Sequence, residues 1–95
     1  MSDSTRCVHL KISGRVQGVA YRYSAQRSAS ALGLSGWVRN DSDGTVEGVI
    51  QGSDESVRSF IEWCHSGPRL ANVTDVQVTE RAVDATLKSP PEIRY

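Results

Sequence analysis

The order in which two hydrophobic periodicities alternate along this chain restricts it to very few folds. Alternating apolar and polar residues are typical of half-buried strands, and apolar residues three or four apart are typical of helices. The patterns predict strands over residues 7–13, 36–40, 45–50 and 75–79 and helices over 21–32 and 54–66. The order strand, helix, strand, strand, helix, strand is that of the split βαβ repeat. We therefore predict an α+β fold, a ferredoxin-like βαββαβ sandwich with two helices on one face of an antiparallel sheet.

Turn and capping residues support these boundaries. Asp43-Gly44 separates the second and third strands, and Asp-Gly is a strong hairpin signal. Ser53 is a favourable N-cap for the second helix, and Gly33 follows the first helix where a C-terminal cap is expected. Beyond Ser89-Pro90-Pro91, the tail Ile93-Arg94-Tyr95 can add a short fifth strand, whose pairing the sequence leaves open.

Length and charge narrow the classes of protein. Ninety-five residues suffice for one folded domain, residues 1–95, of which residues 1–6 are expected to be flexible. Eleven basic residues balance eleven acidic ones, whereas a domain that binds nucleic acid normally carries a positive excess. No apolar run approaches the roughly 20 residues that span a bilayer. We therefore expect neither nucleic acid nor a membrane as a partner, and a monomer is the simplest expectation.

Cys7 and Cys64 are the only cysteines, and their spacing fits neither a zinc site nor a redox pair. The topology places them at opposite edges of the sheet, whereas the Cα atoms of a disulfide lie within about 7 Å. We therefore predict two free thiols and no metal site. Free thiols, and an N-terminus without the apolar stretch of a signal peptide, favour a cytoplasmic location.

The predicted topology brings two distant segments to the same edge of the sheet. If the first strand runs upward, the second strand also runs upward, and the loops that follow both strands lie at the top. The loop Gly14–Arg22 and the hairpin Asn40–Gly44 should therefore be neighbours. This edge is the natural place for a functional site.

The loop Gly14–Arg22 suits a compact anion. Backbone N–H groups in a strand-to-helix turn can converge on one anion, and the helix N-terminus adds partial positive charge. Arg22 falls in the first helical turn, where its planar fork can bind two oxygens, and Arg15 adds a second charge. The common nucleotide-binding loops do not match, because they would need glycine at Val19 or at Val16. Taken alone, the loop fits a glycine-containing turn with surface arginines equally well.

Asn40 ends the second strand and carries an amide that both accepts and donates hydrogen bonds. Such a group can orient a water molecule without taking its proton, although an asparagine before a turn more often forms the turn. Asp41 and Asp43 could suggest a calcium loop. In that register Arg39 and Ile50 would occupy ligand positions, so we interpret the two aspartates as turn residues.

Three segments resemble signature segments of the acylphosphatase family. They are the loop Gly14–Arg22, the stretch Gly36–Glu47 and Ser66-Gly67-Pro68, and the similarity runs in order over about residues 8–76. The resemblance implies an α/β sandwich and the hydrolysis of acyl phosphates to a carboxylate and inorganic phosphate. It also implies that the enzyme needs no metal and no other cofactor, and that acyl phosphate and phosphate are its small-molecule partners.

The same resemblance implies roles for individual residues. Arg22 would be the phosphate-binding arginine and Asn40 the residue that positions the attacking water, which makes these two the catalytic pair. The phosphate cradle would consist of Arg15, Val16, Gln17, Gly18, Val19, Ala20 and Arg22. The sequence departs from the family pattern at Ala20 and Tyr21, where other members often carry Gly or Phe, and at Pro91, where similar tails usually hold an aromatic residue.

Two alternatives belong to other functional classes. The fold also occurs in RNA-binding domains, whose sheet carries base-stacking aromatic residues. Here the expected sheet face presents His9, Lys11 and Glu47, with no aromatic pair in the expected strands. The second alternative is a regulatory domain that binds phosphate or another anion without turnover, and the presence of both Arg22 and Asn40 makes it less favoured.

The remaining polar and aromatic residues receive structural interpretations or weaker functional ones. We interpret four residues as exposed or packing side chains: His9, His65, Trp37 and Trp63. Arg39 and Arg69 are expected near the edge that carries the site, where they could bind the acyl part of a charged substrate.

Overall fold

The elements follow one another in the order that the sequence predicts, with one short strand added. The structure, a computed structural model, describes residues 4–94. Its elements are β1 (Thr5–Arg15), α1 (Tyr21–Ala31), β2 (Ser35–Asn40), β3 (Val46–Ser53), α2 (Asp54–Ser66), β4 (Asn72–Arg81) and β5 (Glu92–Arg94). They form one sheet in the order β4-β1-β3-β2-β5, with both helices packed against it. The predicted ferredoxin-like α+β fold is confirmed.

The four predicted strands pair antiparallel, and β5, whose pairing the sequence leaves open, runs parallel to β2 and makes the sheet mixed. The reason lies in where β4 ends: Arg81 pairs with Cys7, at the lower edge of the sheet where β1 begins. From there residues 82–91 follow this lower edge, where Gln51 bonds the backbone of Asp84 and the Gly36 N–H donates to the Lys88 carbonyl (2.9 Å). The chain thus enters β5 from the edge at which β2 also begins.

One face of the sheet and the two helices enclose the core. The apolar residues that alternate along β1, with Val8, Leu10 and Ile12 pointing to one side, are buried as predicted. The helices add the predicted stripes, Tyr21, Ala25 and Ala29 from α1 and Val57, Phe60 and Cys64 from α2. The periodicity of the sequence therefore predicts the core correctly.

The start of α2 shows the expected capping. The Ser53 hydroxyl accepts a hydrogen bond from the Ser56 N–H (3.2 Å), and Asp54 and Glu55 lie in the first turn, where the helix dipole favours acidic groups. Gly67, with a φ of 65°, ends the helix. A side chain thus caps the N-terminus of α2, in contrast to α1.

Of residues 1–6, which the sequence predicts to be flexible, the structure describes residues 4–6. Strand β1 begins at Thr5, and Arg6 forms ion pairs with Glu80 of β4 (2.6 Å) and Asp54 of α2 (3.4 Å). These contacts stabilise the start of the strand, which lies before residues 7–13, whose apolar alternation predicted it. Residues 1–3 lie outside the described part of the chain, as does Tyr95, which the predicted tail strand included.

Both cysteines are free, as predicted, and both are buried. Cys64 lies in the core between the helices and the sheet, and burial raises the pKa of its thiol to about 12. Within residues 4–94, neither helix is long and apolar enough to cross a membrane.

Candidate active site

Two buried valines hold the loop between β1 and α1 to the core. Val16 and Val19 are buried, whereas Gly18 and Ala20 are exposed between and after them. Gly18 has a φ of 75°, and Ala20 lies in the left-handed region with φ 62° and ψ 28°. That conformation costs a residue with a Cβ about 1–2 kcal/mol, so glycine is the easier residue at position 20. The loop is thus folded tightly, with its backbone turned toward solvent at the top of the sheet.

No side chain of the described residues caps the N-terminus of α1. Ala20 occupies the N-cap position and offers no side-chain acceptor, and the first helical bond runs from the Ser24 N–H to the Ala20 carbonyl (3.0 Å). The N–H groups of the first turn therefore have no partner within the helix. An uncapped helix N-terminus of this kind provides donors and partial positive charge for an anion.

A cavity of about 260 Å³ opens against this helix start. Its walls come from the loop, the first turn of α1, the end of β2 and the C-terminal strand: Val16, Gly18, Ala20, Tyr21, Arg22, Tyr23, Asn40 and Ile93. Arg22 and Asn40 thus line one small space although they are distant in sequence. The predicted juxtaposition of the loop and the hairpin is confirmed.

The Gln17 side chain joins the loop to the hairpin. Its Nε2 group donates to the carbonyl oxygens of Asp41 (2.8 Å) and Thr45 (3.0 Å), and the Asp41 N–H also bonds to the Thr45 carbonyl (2.8 Å). These bonds fix the residue that directly follows Asn40. The sequence predicted a backbone role for Gln17 in the cradle but did not predict this side-chain link.

The hairpin turn itself is held by carboxylates, as the interpretation of Asp41 and Asp43 as turn residues predicts. The Asp43 carboxylate accepts bonds from the Thr45 hydroxyl (2.6 Å) and N–H (3.1 Å) and pairs with the Lys11 ammonium (2.8 Å). The hydrogen bond from Lys11, followed by those from Thr45, holds the pKa of Asp43 well below its usual range. The turn therefore stays charged and ordered at neutral pH, next to Asn40.

Arg22 is oriented by the C-terminal strand. Its Nη1 group donates to the Arg94 carbonyl oxygen (2.9 Å), and the neighbouring Ile93 forms one wall of the cavity. On the other face of the sheet, the Arg94 guanidinium lies 4.8 Å from the centre of the Trp37 ring. Strand β5 thus takes part in building the site, which the pattern of the tail residues does not reveal.

The predicted cradle residues divide into two groups. Val16, Gly18, Ala20 and Arg22 line the cavity, whereas Arg15, Gln17 and Val19 are absent from its lining among the residues described. The Val19 side chain enters the core, the Gln17 side chain turns to the hairpin, and Arg15 ends β1 in register with Asn72 of β4.

Two lining residues were not singled out from the sequence. Tyr23 follows Arg22 and lies off the buried stripe of α1, so a helical projection would have shown it as an exposed aromatic residue beside the loop. Ile93 lies at the far end of the chain, and only the pairing of β5 with β2 brings it to the site. No local pattern could have identified Ile93.

The other candidate residues lie away from the cavity. Arg39 directly precedes Asn40, but its side chain is on the open face of the sheet, paired with Glu47 (2.6 Å), and is not among the residues that line the cavity. The His9 Nε2 atom lies 2.6 Å from the same carboxylate group, which supports a structural role. Trp63 packs against Tyr21, with ring centres 5.4 Å apart. Within residues 4–94, no three His, Cys, Asp or Glu side chains lie together as a metal site.

Comparison with known proteins gives a consistent result. The acylphosphatase family model matches residues 8–89. An acylphosphatase of Methylococcus capsulatus is 58% identical over 76 residues, covering 80% of this chain and 83% of the relative, and one of Nocardioides sp. is 47% identical over 87 residues, covering 92% and 87%. The solved acylphosphatase structure from Bacillus subtilis superposes with a TM-score of 0.90 at 36% identity, covering 95% of this chain and 99% of that chain. The chain belongs to the acylphosphatase family.

Proposed function

We infer that the protein is an acylphosphatase, an enzyme that hydrolyses acyl phosphates to a carboxylate and inorganic phosphate. One observation carries the assignment of the site: Arg22 and Asn40 line the same small cavity at the uncapped start of α1. A guanidinium, backbone N–H donors and a neutral amide are the groups that hydrolysis of a phosphate with a good leaving group requires.

The phosphoryl group binds between the loop and Arg22. The N–H groups of the loop and of the first turn of α1 surround its oxygens, while the guanidinium supplies a planar pair of donors. The bond from Arg22 Nη1 to the Arg94 carbonyl (2.9 Å) holds the guanidinium in one orientation. Because the donors are placed before the substrate arrives, little reorganisation accompanies the transfer of charge to the phosphoryl oxygens.

Asn40 orients the attacking water. The amide can accept a hydrogen bond from the water and donate one to a phosphoryl oxygen, which places the water in line with the leaving group. The Gln17 link fixes the backbone directly after Asn40, so the amide is held at the cavity wall. We propose that the water's proton passes to a phosphoryl oxygen of the substrate, since no carboxylate or imidazole of residues 4–94 lines the cavity.

No general acid is needed for this reaction. The water oxygen forms a bond to phosphorus as the bond from phosphorus to the acyl oxygen breaks, and the leaving group departs as a carboxylate. A carboxylic acid has a pKa of about 4, so the carboxylate leaves without a proton from the enzyme. We propose that the reaction proceeds without a metal ion, since the donors of the loop and Arg22 supply the charge stabilisation that a metal would provide.

The test measures hydrolysis of benzoyl phosphate in excess EDTA by wild type, Arg22→Ala, Arg22→Lys and Asn40→Ala. Arg22→Ala should nearly abolish turnover and weaken phosphate binding, and Arg22→Lys should stay poor because a point charge cannot replace the fork. Asn40→Ala should lower kcat by about 10²-fold while phosphate still binds. Arg81→Ala, an exposed arginine at the opposite edge of the sheet, is the matched control and should behave as wild type.

Isotope labelling locates the bond that breaks. In ¹⁸O-labelled water the label should enter inorganic phosphate and not benzoate, because the water attacks phosphorus. Label in benzoate, or an active Arg22→Lys enzyme, would contradict the proposed mechanism. A folded wild type that binds phosphate without any turnover would instead indicate a regulatory phosphate-binding domain.

We further propose that the enzyme is a cytoplasmic monomer that does not bind nucleic acid. Two buried free thiols are typical of a reducing compartment, and a monomer is the simplest state for one compact domain of 95 residues. Two arginines on the open face of the sheet are paired with carboxylates, Arg39 with Glu47 and Arg94 with Glu92. Sedimentation analysis would test the oligomeric state, and a lack of salt-dependent RNA binding would test the last point.

A further inference from the structure

A second hollow adjoins the active-site cavity along α1. It has a volume of about 390 Å³, and its walls are formed by α1 and by the end of α2 with the turn that follows: Tyr23, Ser24, Arg27, Ser28, Trp63 and Pro68. Tyr23 lines both spaces, so the two adjoin at this residue. We call the second hollow the interhelix groove.

The helix geometry places Tyr23 and Arg27 on one face of α1. Side chains four residues apart lie on the same helix face, about 6 Å apart along the axis, and lean toward the helix N-terminus. The Arg27 guanidinium accordingly lies 5.7 Å from the centre of the Tyr23 ring. Tyr23 keeps 55% of its surface exposed, an unusual fraction for a large aromatic residue beside a binding cavity. The ring offers a face on which a flat acyl group can lie.

The far wall of the groove is rigid. The Trp63 ring packs against Tyr21, with centres 5.4 Å apart, and against Phe60, with centres 5.7 Å apart. Both partners are buried core residues, so the Trp63 surface that faces the groove is fixed before a ligand arrives. A preformed wall reduces the entropy that a ligand must lose on binding.

The groove carries a positive charge that no carboxylate in the described part of the chain neutralises. Arg27 contacts the Tyr23 ring, and no Asp or Glu of residues 4–94 lies within ion-pair distance of it. Arg58 on α2, equally a surface arginine, is paired with Asp54 at i−4 (3.5 Å). Beside Arg27, the Ser24 and Ser28 hydroxyls can donate further hydrogen bonds. An anion is the ligand that this combination suits.

We propose that the interhelix groove binds the acyl part of the substrate and favours acyl phosphates that carry a carboxylate beyond a flat or apolar segment. The segment lies between Tyr23 and Trp63, and the distal carboxylate pairs with Arg27. This inference rests on the proposed function, since it assumes that the phosphoryl group occupies the cavity beside Arg22. The groove would provide selectivity among acyl groups, which the phosphate-binding loop alone does not provide.

The test compares two substrates of the same shape, 4-carboxybenzoyl phosphate and its uncharged amide, 4-carbamoylbenzoyl phosphate. For each enzyme the ratio of the two kcat/KM values is measured, because the ratio removes differences in overall activity between variants. Arg27→Gln should lower this ratio by about fivefold relative to wild type, the size expected for one exposed ion pair. Arg27→Glu should lower it further by repulsion. Arg58→Gln is the matched control and should leave the ratio unchanged.

Salt provides an independent readout. In wild type the preference for the charged substrate should shrink between about 0.02 M and 1 M NaCl, since the Debye length falls to about 3 Å at 1 M. In Arg27→Gln the ratio should depend less on salt. If wild type, Arg27→Gln and Arg27→Glu are all active and give equal ratios, the groove proposal is overturned and the proposed function is left intact. Hydrolysis of benzoyl phosphate but of neither para-substituted substrate would overturn the groove proposal alone, and failure with all three substrates would overturn both.

Discussion

Loss of the Gln17 side chain should weaken both the fold and the catalytic geometry. In Gln17→Leu the two hydrogen bonds from Nε2 to the Asp41 and Thr45 carbonyl oxygens disappear. Each carbonyl keeps a backbone donor, from the Gly44 N–H (3.2 Å) and the Asp41 N–H (2.8 Å) respectively, so neither becomes a buried unpaired group. The expected loss is therefore that of two ordinary hydrogen bonds, about 2 kcal/mol of unfolding free energy.

That loss should be measurable in two ways. For a domain of this size, about 2 kcal/mol corresponds to a fall in Tm of about 10 °C, which thermal and urea denaturation can both detect. Because the loop and the hairpin are no longer joined, kcat for benzoyl phosphate should fall by about tenfold or more, since a displacement of about 1 Å costs up to a hundredfold. The reasoning is refuted if Gln17→Leu unfolds within about 0.5 kcal/mol of wild type and keeps its kcat.

The variant Gln17→Glu separates the hydrogen bonds from the loss of packing. An ionised carboxylate at this position would face two carbonyl oxygens, so its pKa should be raised in the folded state above its unfolded value of about 4.3. A raised pKa means that the stability is retained below the unfolded pKa and is lost as the pH rises through the folded pKa. Gln17→Glu should therefore lose stability relative to wild type between about pH 4 and pH 7. Gln77→Glu, on the exposed side of β4, should not.

Three further results are expected. Gly36→Ala should lower the unfolding free energy by about 3 kcal/mol or more, because an added Cβ would lie 1.8 Å from the Val49 carbonyl oxygen. Urea denaturation measures this loss, and a folded variant as stable as wild type would contradict the predicted clash. Stability should fall as the pH drops below about 4.5, because the hydrogen bond from His9 holds the pKa of Glu47 below its usual value. The stabilising contribution of Glu47 is present above the pKa of the unfolded state and disappears as the pH falls through the pKa of the folded state. The variant Glu47→Gln should flatten this part of the pH profile of stability. Cys64 should react with a thiol reagent only after denaturation, since burial raises its pKa to about 12, and fast reaction of the native protein would show that the core opens.

Local patterns predicted most of the fold. The alternation along β1, the stripe of α2, the Ser53 cap and the Asp43-Gly44 turn each depend on residues close in sequence, and each appears in the structure where it was predicted. The juxtaposition of the loop and the hairpin also followed, because the direction of each strand is set by the order of the elements. The start of β1 was not predicted from the local pattern, because it is stabilised by ion pairs of Arg6 with residues distant in the chain.

The candidate site was predicted in part. Arg22 and Asn40 were recognisable because their segments resemble a known family, and the structure places both at one cavity. The side-chain role of Gln17 and the contributions of Tyr23 and Ile93 were not recognisable, because each depends on contacts between elements far apart in the chain. Arg39 lies next to Asn40 in β2, but the pleat of the strand turns its side chain to the open face of the sheet, where it pairs with Glu47.

The amino-acid sequence by itself determined which residues form the core, where the helices and turns lie, and which loop is the candidate for binding an anion. These properties depend on periodicity and backbone preference, which act within a few residues. Only the tertiary structure decided that β5 lies parallel to β2, so that the Arg94 carbonyl orients Arg22 and Ile93 closes the cavity. Three residues of strand carry too little hydrophobic pattern to select a partner, so β5 takes the edge that the chain reaches after β4, where β2 remains open.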